Sequence, residues 1–316
     1  MSAEPFPIQV ESVTKRFGDF TAVDSISFAV PRGEIFGILG PNGAGKTTTI
    51  RMIMNITIPD SGRVLILGRP STEGASRLVG YLPEERGLYR RMKVLDHIVF
   101  LGEIRGIEQK EAKKRAAEWL ERVRLTKWAD KKVEELSKGM QQKIQFIGCA
   151  IHDPDVLILD EPFSGLDPVN AHALKELFLE FRQRGKTVVL CTHVMEQAEK
   201  LCDELVLINR SKVVLSGRLA EIKQRYSGNR LLVRGEGSAE ALRAIRGVRG
   251  IDARDGVLSV ELEPALSRSE FLREATNVFA IDSATPHQSS LDDIFIRVVG
   301  ESVGDVEAAS GREVTE

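Results

Sequence analysis

Apolar and polar residues alternate between residues 8 and 30, in IQVESV and again in AVDSISFAV. An every-second-residue pattern puts the apolar side chains on one face, so this region predicts antiparallel strands with one solvated face. The next run, EIFGILG, is apolar almost throughout and reads as a strand buried on both faces. A glycine-rich turn follows, then a helix from about Gly45 to Ile56. GRVLILG and LVGYLP predict two further strands, and from about Lys93 to Ala150 the period becomes helical, with charged faces in EQKEAKKRAAEWLERV. Strands and helices alternate again in DVLILDE, NAHALKELFLEFRQR, TVVLCT, MEQAEKLC and DELVLIN. That order predicts an α/β core: a mainly parallel sheet covered by helices, with an antiparallel β subdomain and a helical insertion at about 86–150.

After SGRLAEIKQRYSGN the pattern changes. RLLVRG, SAEALRAIRG, GIDAR, GVLSVELE, SRSEFLREA and VFAIDSATP read in turn as strand, helix, strand, strand, helix and strand. This β-α-β-β-α-β order fits a small α+β, ferredoxin-like unit. SLDDIFIRVVGE predicts a closing amphipathic helix with Ser290 as its N-cap. The expected organisation is therefore a larger domain over 6–226, an accessory domain over 229–300, and an acidic, small-residue tail over 301–316 expected to be disordered.

Composition narrows the function. With 42% hydrophobic and 28% charged residues, the 316-residue chain has the make-up of a soluble globular protein. A net charge of −2 gives no electrostatic reason to expect nucleic acid as the main partner. MSAEPFPIQV lacks the basic start and apolar core of a secretory signal, and no apolar run approaches the roughly 20 residues that cross a bilayer. Cys149, Cys191 and Cys202 form no paired motif and lie in apolar segments, the pattern of buried thiols in a reducing cytosol.

Chemistry concentrates at three strand ends. GPNGAGKTT, comprising Gly40, Pro41, Asn42, Gly43, Ala44, Gly45, Lys46, Thr47 and Thr48, matches a phosphate-binding loop between a buried strand and a helix. Its glycines let backbone N–H groups turn inward around a phosphate, and the helix N-terminus adds partial positive charge. Lys46 brings a full charge toward the outer phosphates, and the Thr47 hydroxyl can ligate Mg²⁺. Nucleotide binding is the expectation. VLILDEP ends a second buried strand in Asp160 and Glu161, at the sheet edge where ligands of open α/β sheets bind. Asp160 can hold Mg²⁺, and Glu161 can orient or deprotonate an attacking water. His193 follows TVVLCT at a third strand end, placed to bond a γ-phosphate or to position Glu161.

In this order, GPNGAGKTT, ELSKGMQQK, VLILDEP, SGLD and CTH resemble the ATP-binding subunits of ABC transporters, over about residues 6–225. The C-terminal unit, ending in SLDDIFIRVVG, is similar to the accessory domain of bacterial sodium- and drug-efflux ATPases of the ABC-2 exporter type. The resemblance implies a P-loop NTPase core that binds ATP with Mg²⁺ and hydrolyses it. It implies that residues 136–141 form the signature segment facing the phosphate loop of a second subunit, where Ser137 and the Gly139 N–H touch the γ-phosphate. Lys138 and Met140 depart from the commonest form of that segment. The resemblance also assigns adenine stacking to Phe17 and a Mg²⁺ ligand to Glu84, where the family usually has glutamine. Asp167 is assigned to the subunit interface. Metal contacts thus fall to Thr47, Glu84 and Asp160, and catalysis to Glu161 and His193.

As partners the resemblance implies a second ATPase subunit, as a homodimer, and a separate transmembrane permease that places the chain on the inner face of the cell membrane. Arg86, Arg90 and Arg91 fall where the family docks that permease. Two rival functions are a soluble ABC-type mechanical ATPase acting on ribosomes or nucleic acid, and a weakly hydrolysing nucleotide sensor. One motif set and no basic bias weigh against the first, and an intact Glu161 and His193 against the second.

Overall fold

Alternation at the N-terminus becomes a long hairpin. β1 (Ile8–Phe17) and β2 (Phe20–Val30) pair antiparallel, and Phe17 and Phe20 are cross-strand partners at its tip. The structure, a computed structural model, describes residues 6–74, 78–85, 87–254 and 256–310. β3 (Ile35–Leu39) is buried at all five positions, and α1 (Lys46–Ile53) follows directly after the glycine-rich turn. α1 stops short of the expected Ile56, because Asn55 adopts a left-handed φ of 54° and turns the chain away. β4 (Ser61–Ile66) and β5 (Arg69–Pro70) then extend the hairpin sheet, giving the order β2-β1-β4-β5.

β6 (Val79–Leu82) leads into the helical insertion: α2 (Val94–Ile104), α3 (Gln109–Arg122) and α4 (Lys138–Ala150). β7 (Val156–Asp160), α5 (Pro168–Gln183), β8 (Thr187–Thr192), α6 (Met195–Leu201), β9 (Glu204–Asn209) and β10 (Lys212–Arg218) complete the core. Its sheet has the order β10-β9-β3-β8-β7-β6, with only β10 antiparallel to its neighbour. Residues 156–159, 188–191 and 205–208 are at most 1% exposed. Each such Val, Leu or Ile contributes about 1.5–3 kcal/mol of burial. That packing fixes the strand ends where the chemistry sits.

The chain parts into two compact units between Arg218 and Leu219, so α7 (Leu219–Ser227) groups with the second. β11 (Arg230–Gly237), α8 (Ala239–Arg243), β12 (Val248–Arg254), β13 (Val257–Leu262), α9 (Arg268–Ala275) and β14 (Phe279–Pro286) follow in the expected order. They form an antiparallel sheet, β12-β13-β11-β14, that shares a core with Leu242 and Phe271 from the two helices. α10 (Leu291–Ser310) closes the unit, and the Asp293 N–H donates to the Ser290 hydroxyl at 3.1 Å, as an N-cap requires. α10 extends to Ser310, into the tail over 301–316 for which disorder is expected. No proline interrupts residues 301–310, and the helix begun by the amphipathic segment runs through them. The rest of that tail, 311–316, lies outside the described residues.

One buried group sets a pH limit. His97, on α2, is fully buried beside the Tyr89 ring, with no hydrogen-bond partner for either ring nitrogen among the described residues. Burial pulls its pKa down to about 4, against 6.5 in the open chain. Between those values the unfolded chain binds the proton and the folded one does not. Stability is therefore complete above about pH 6.5 and falls as the pH drops toward 4, by a few kcal/mol at most. Burial also pulls His152 down to about 4, with both ring nitrogens unpartnered among the described residues, so replacing His97 with phenylalanine is expected to reduce, and not abolish, the slope of that part of a melting-temperature-against-pH curve. An unchanged slope would show that the acid sensitivity lies elsewhere.

Candidate active site

The turn after β3 is shaped by glycines that no other residue could replace cheaply. Gly40 has a φ of 148°, and a Cβ there would lie 2.0 Å from the Ile208 carbonyl oxygen. Gly45 has a φ of 107° and would meet the Ala22 carbonyl at 2.4 Å. The loop is thus pressed against β9 and β2 and delivers Lys46 as the first residue of α1. Lys46 is 6% exposed, and its ammonium donates to the carbonyls of Gly40 at 2.8 Å and Pro41 at 3.1 Å. A preformed loop with a buried cation on its inner side is a phosphate cradle.

β7 ends beside β8 with Asp160 paired to Cys191 in register. Asp160 is 1% exposed, and among the described residues neither carboxylate oxygen has a hydrogen-bond partner. Burial pushes its pKa up, and Glu84 and Glu161 add to the rise. The Cys191 thiol and the Lys46 ammonium oppose it, although the thiol does not reach hydrogen-bond geometry. The adjacent Glu161 sits at a φ of 47°, an unusual conformation for a non-glycine residue, held by its N–H donating to the Cys191 carbonyl at 2.9 Å. One carboxylate oxygen accepts from the His193 N–H at 3.0 Å and from His193 Nδ1 at 2.6 Å; the other accepts from the Thr192 hydroxyl at 3.2 Å. Glu161 is therefore fixed by three donors from the end of β8, and Nδ1 carries the hydrogen.

A cleft of about 350 Å³ joins these parts; Asn42, Gly43, Gly45, Lys46, Thr47 and Thr48 line it together with Glu84 and Glu161. Phe20 and Ala22 form its apolar side. Phe17, expected to stack on a base, is not part of that lining. It is exposed at the hairpin tip with the Lys15 ammonium 5.6 Å from its ring centre. Its cross-strand partner Phe20 lines the cleft instead. The pairing of two aromatics across Gly18 and Asp19 was the available signal. Thr192 was also overlooked, although it immediately precedes His193.

The residues of the second motif stand apart from that lining. Ser137 is exposed and caps α4, accepting from the Met140 N–H at 3.3 Å. Gly139 is buried for a reason internal to the chain: a Cβ would lie 2.4 Å from the Asn170 amide nitrogen. Asn170 in turn donates to Asp167 at 2.6 Å, and Asp167 caps α5 by accepting from the Val169 and Asn170 N–H groups. The Asn170 backbone N–H and side chain, in that order, hold the Asp167 carboxyl below its usual range. Asp167 is thus a helix cap that ties α5 to the start of α4.

The Asp160 environment fits a divalent cation. A buried carboxylate with both oxygens orphaned is costly unless something cationic completes it. Lys46 is the nearby fixed charge, and Thr47 lines the cleft together with Glu161, the neighbour of Asp160. Among the described residues, no three His, Cys, Asp or Glu side chains gather as a metal cage. A hard ion that keeps water and takes phosphate oxygens, as Mg²⁺ does, matches that donor set.

Similarity to other proteins runs nearly end to end. The chain is 41% identical over 302 residues to the ABC transporter ATP-binding protein YhaQ of Bacillus subtilis, covering 93% of this chain and 98% of that one. The chain belongs to the ABC transporter ATP-binding proteins. The ABC transporter family matches residues 23–164, and the ATP-binding protein DrrA1-3-like C-terminal domain matches 217–299. This ABC ATPase is also 33% identical over 313 residues to the linearmycin resistance ATP-binding protein LnrL of Bacillus subtilis, covering 94% of this chain and all of that one. It is 33% identical over 315 residues to Nod factor export ATP-binding protein I of Paraburkholderia xenovorans, covering 94% and 98%.

Among solved structures, an ATP-binding subunit of an ABC transporter superposes with a TM-score of 0.65 at 31% identity, covering 69% of this chain and 92% of its own. CbiO1 of Clostridium perfringens, described as part of the ABC transporter complex cbiONQ, gives 0.63 at 28% identity, covering 69% and 91%. The fold and family expected from the motifs therefore hold. The ABC ATPase binds ATP, hydrolyses it in support of transport, and as a family member works with membrane permease partners. No helix among the described residues is long and apolar enough to cross a membrane.

Proposed function

We propose that this ABC ATPase powers export through a separate permease, as a homodimer that encloses two ATP molecules, each with Mg²⁺. The observation that carries the chemistry is Asp160, a buried, unpartnered carboxylate at the end of β7, with Lys46 near and Glu161 adjacent. In this reading Lys46 and the loop N–H groups bind the β- and γ-phosphates, and Phe20, or Phe17 beside it, stacks on the base. Glu161 accepts the proton of the attacking water, and His193 holds that carboxylate in line. Mg²⁺, held by Thr47, Asp160 and Glu84 directly or through water, would neutralise charge that develops on the phosphates.

Ser137 and the Gly139 N–H complete the pocket of the other copy, where the helix N-terminus favours the γ-phosphate. Their position outside the cleft lining of their own chain supports that assignment. ATP then favours the closed pair, and hydrolysis removes the bridging contacts. The export name of one relative, Nod factor export ATP-binding protein I, supports the direction. Residues 229–300 form an accessory domain in this account, and the inner membrane face is the working location. Of the basic residues expected at the permease contact, Arg90 and Arg91 are exposed, whereas Arg86 lies outside the described residues.

Affinity purification of the chain from detergent-solubilised membranes of its source cells tests the transport role. The expected result is a multi-span membrane protein in stoichiometric amount, with ATPase activity in the complex. Recovery on ribosomes with no such partner would support the mechanical ATPase instead.

A further inference from the structure

α4 carries three polar side chains in its buried half, Gln142, Gln145 and Cys149, spaced so that they share one helix face. Two of them bond to loops of the nucleotide site and the third to the strand that leads into one of those loops. The Gln142 amide donates to the Pro162 carbonyl at 3.0 Å, one residue past Glu161. The Gln145 amide donates to the carbonyls of Pro83 at 3.2 Å and Glu85 at 3.3 Å, on either side of Glu84. The Cys149 thiol donates to the Tyr81 carbonyl at 2.8 Å, at the end of β6.

Packing alone gives no reason for glutamine at 145. The side chain is 6% exposed, and its Oε1 is buried with no partner among the described residues. An orphaned buried acceptor is costly, and an apolar residue of the same length would avoid that cost. What glutamine supplies is one N–H group reaching two carbonyls that bracket Glu84.

We propose that Gln145 is a positioning residue for hydrolysis: its amide fastens the Glu84 loop to the helix that begins at Ser137. The loop and the signature end then shift as one body, so Glu84 reaches the metal only when α4 is placed for closure. The inference rests on the roles assigned above to Glu84 and Ser137. Its own content is the link between them.

Gln145→Met keeps the side-chain length and removes the donor. In the full-length protein, binding of a fluorescent ATP analogue is titrated with Mg²⁺ for the wild type, Q145M, Glu84→Gln and the double variant. The proposal expects Q145M to raise the Mg²⁺ concentration at half-saturation about fivefold, as loss of about 1 kcal/mol of hydrogen bonding implies. It also expects Q145M to add nothing in the E84Q background. An unchanged Mg²⁺ requirement, or losses that multiply in the double variant, would overturn it. Should Q145M not fold, Gln145→Ser enters the same cycle with the same criteria. Failure of the wild type itself to bind the analogue with Mg²⁺ would instead overturn the reading of the site.

Discussion

Replacing Glu161 with glutamine is expected to lower ATP turnover about 10²–10⁴-fold, the range of a lost general base, while nucleotide affinity stays near the wild-type value. The expectation follows from how the carboxylate is held. Its backbone takes a strained left-handed conformation, and three donors from Thr192 and His193 fix its two oxygens. Glutamine keeps the shape but cannot take a proton, and its amide nitrogen must face one of those donors. Binding groups on the phosphate loop are untouched. Phosphate release measured against a fluorescent-nucleotide titration separates the two effects. Turnover unchanged in E161Q would mean that another group accepts the proton.

Lys46→Ala is the second large effect, and it falls on binding. Lys46 is buried against the loop carbonyls, so its charge acts through a poorly solvated environment rather than through water. A charge-assisted hydrogen bond is worth about 1.5–3 kcal/mol. ATP affinity should therefore fall at least about tenfold, and up to about 150-fold, in the same titration. The melting temperature in the absence of nucleotide should change much less, because the two carbonyls can turn to solvent. A variant that melts far earlier and binds normally when cold would make Lys46 a structural pin.

The strand ends were legible because their signal is local. A fully apolar run ending in acid or in a glycine turn fixes both burial and direction, and β3, β7 and β8 carry Lys46, Glu161 and His193 as those runs imply. The order of the sheet was not local. β3 lies between β8 and β9, strands far along the chain, and β6 joins the edge beside β7 across the whole helical insertion. The motif at 137–139 shows another limit. The sequence does not say that Gly139 also makes room for Asn170, which is held there by the Asp167 cap of α5. Phe17 and Phe20 are both exposed aromatics, and nothing in their local sequence says which lines the cleft.

The mass of the Glu161→Gln protein in saturating Mg·ATP, by light scattering during gel filtration, bears most directly on the shared pocket. Twice the 35.0 kDa chain mass with ATP, reverting to a single chain with ADP or on adding Ser137→Glu, is the outcome the account requires. A single-chain mass at saturating ATP would contradict it.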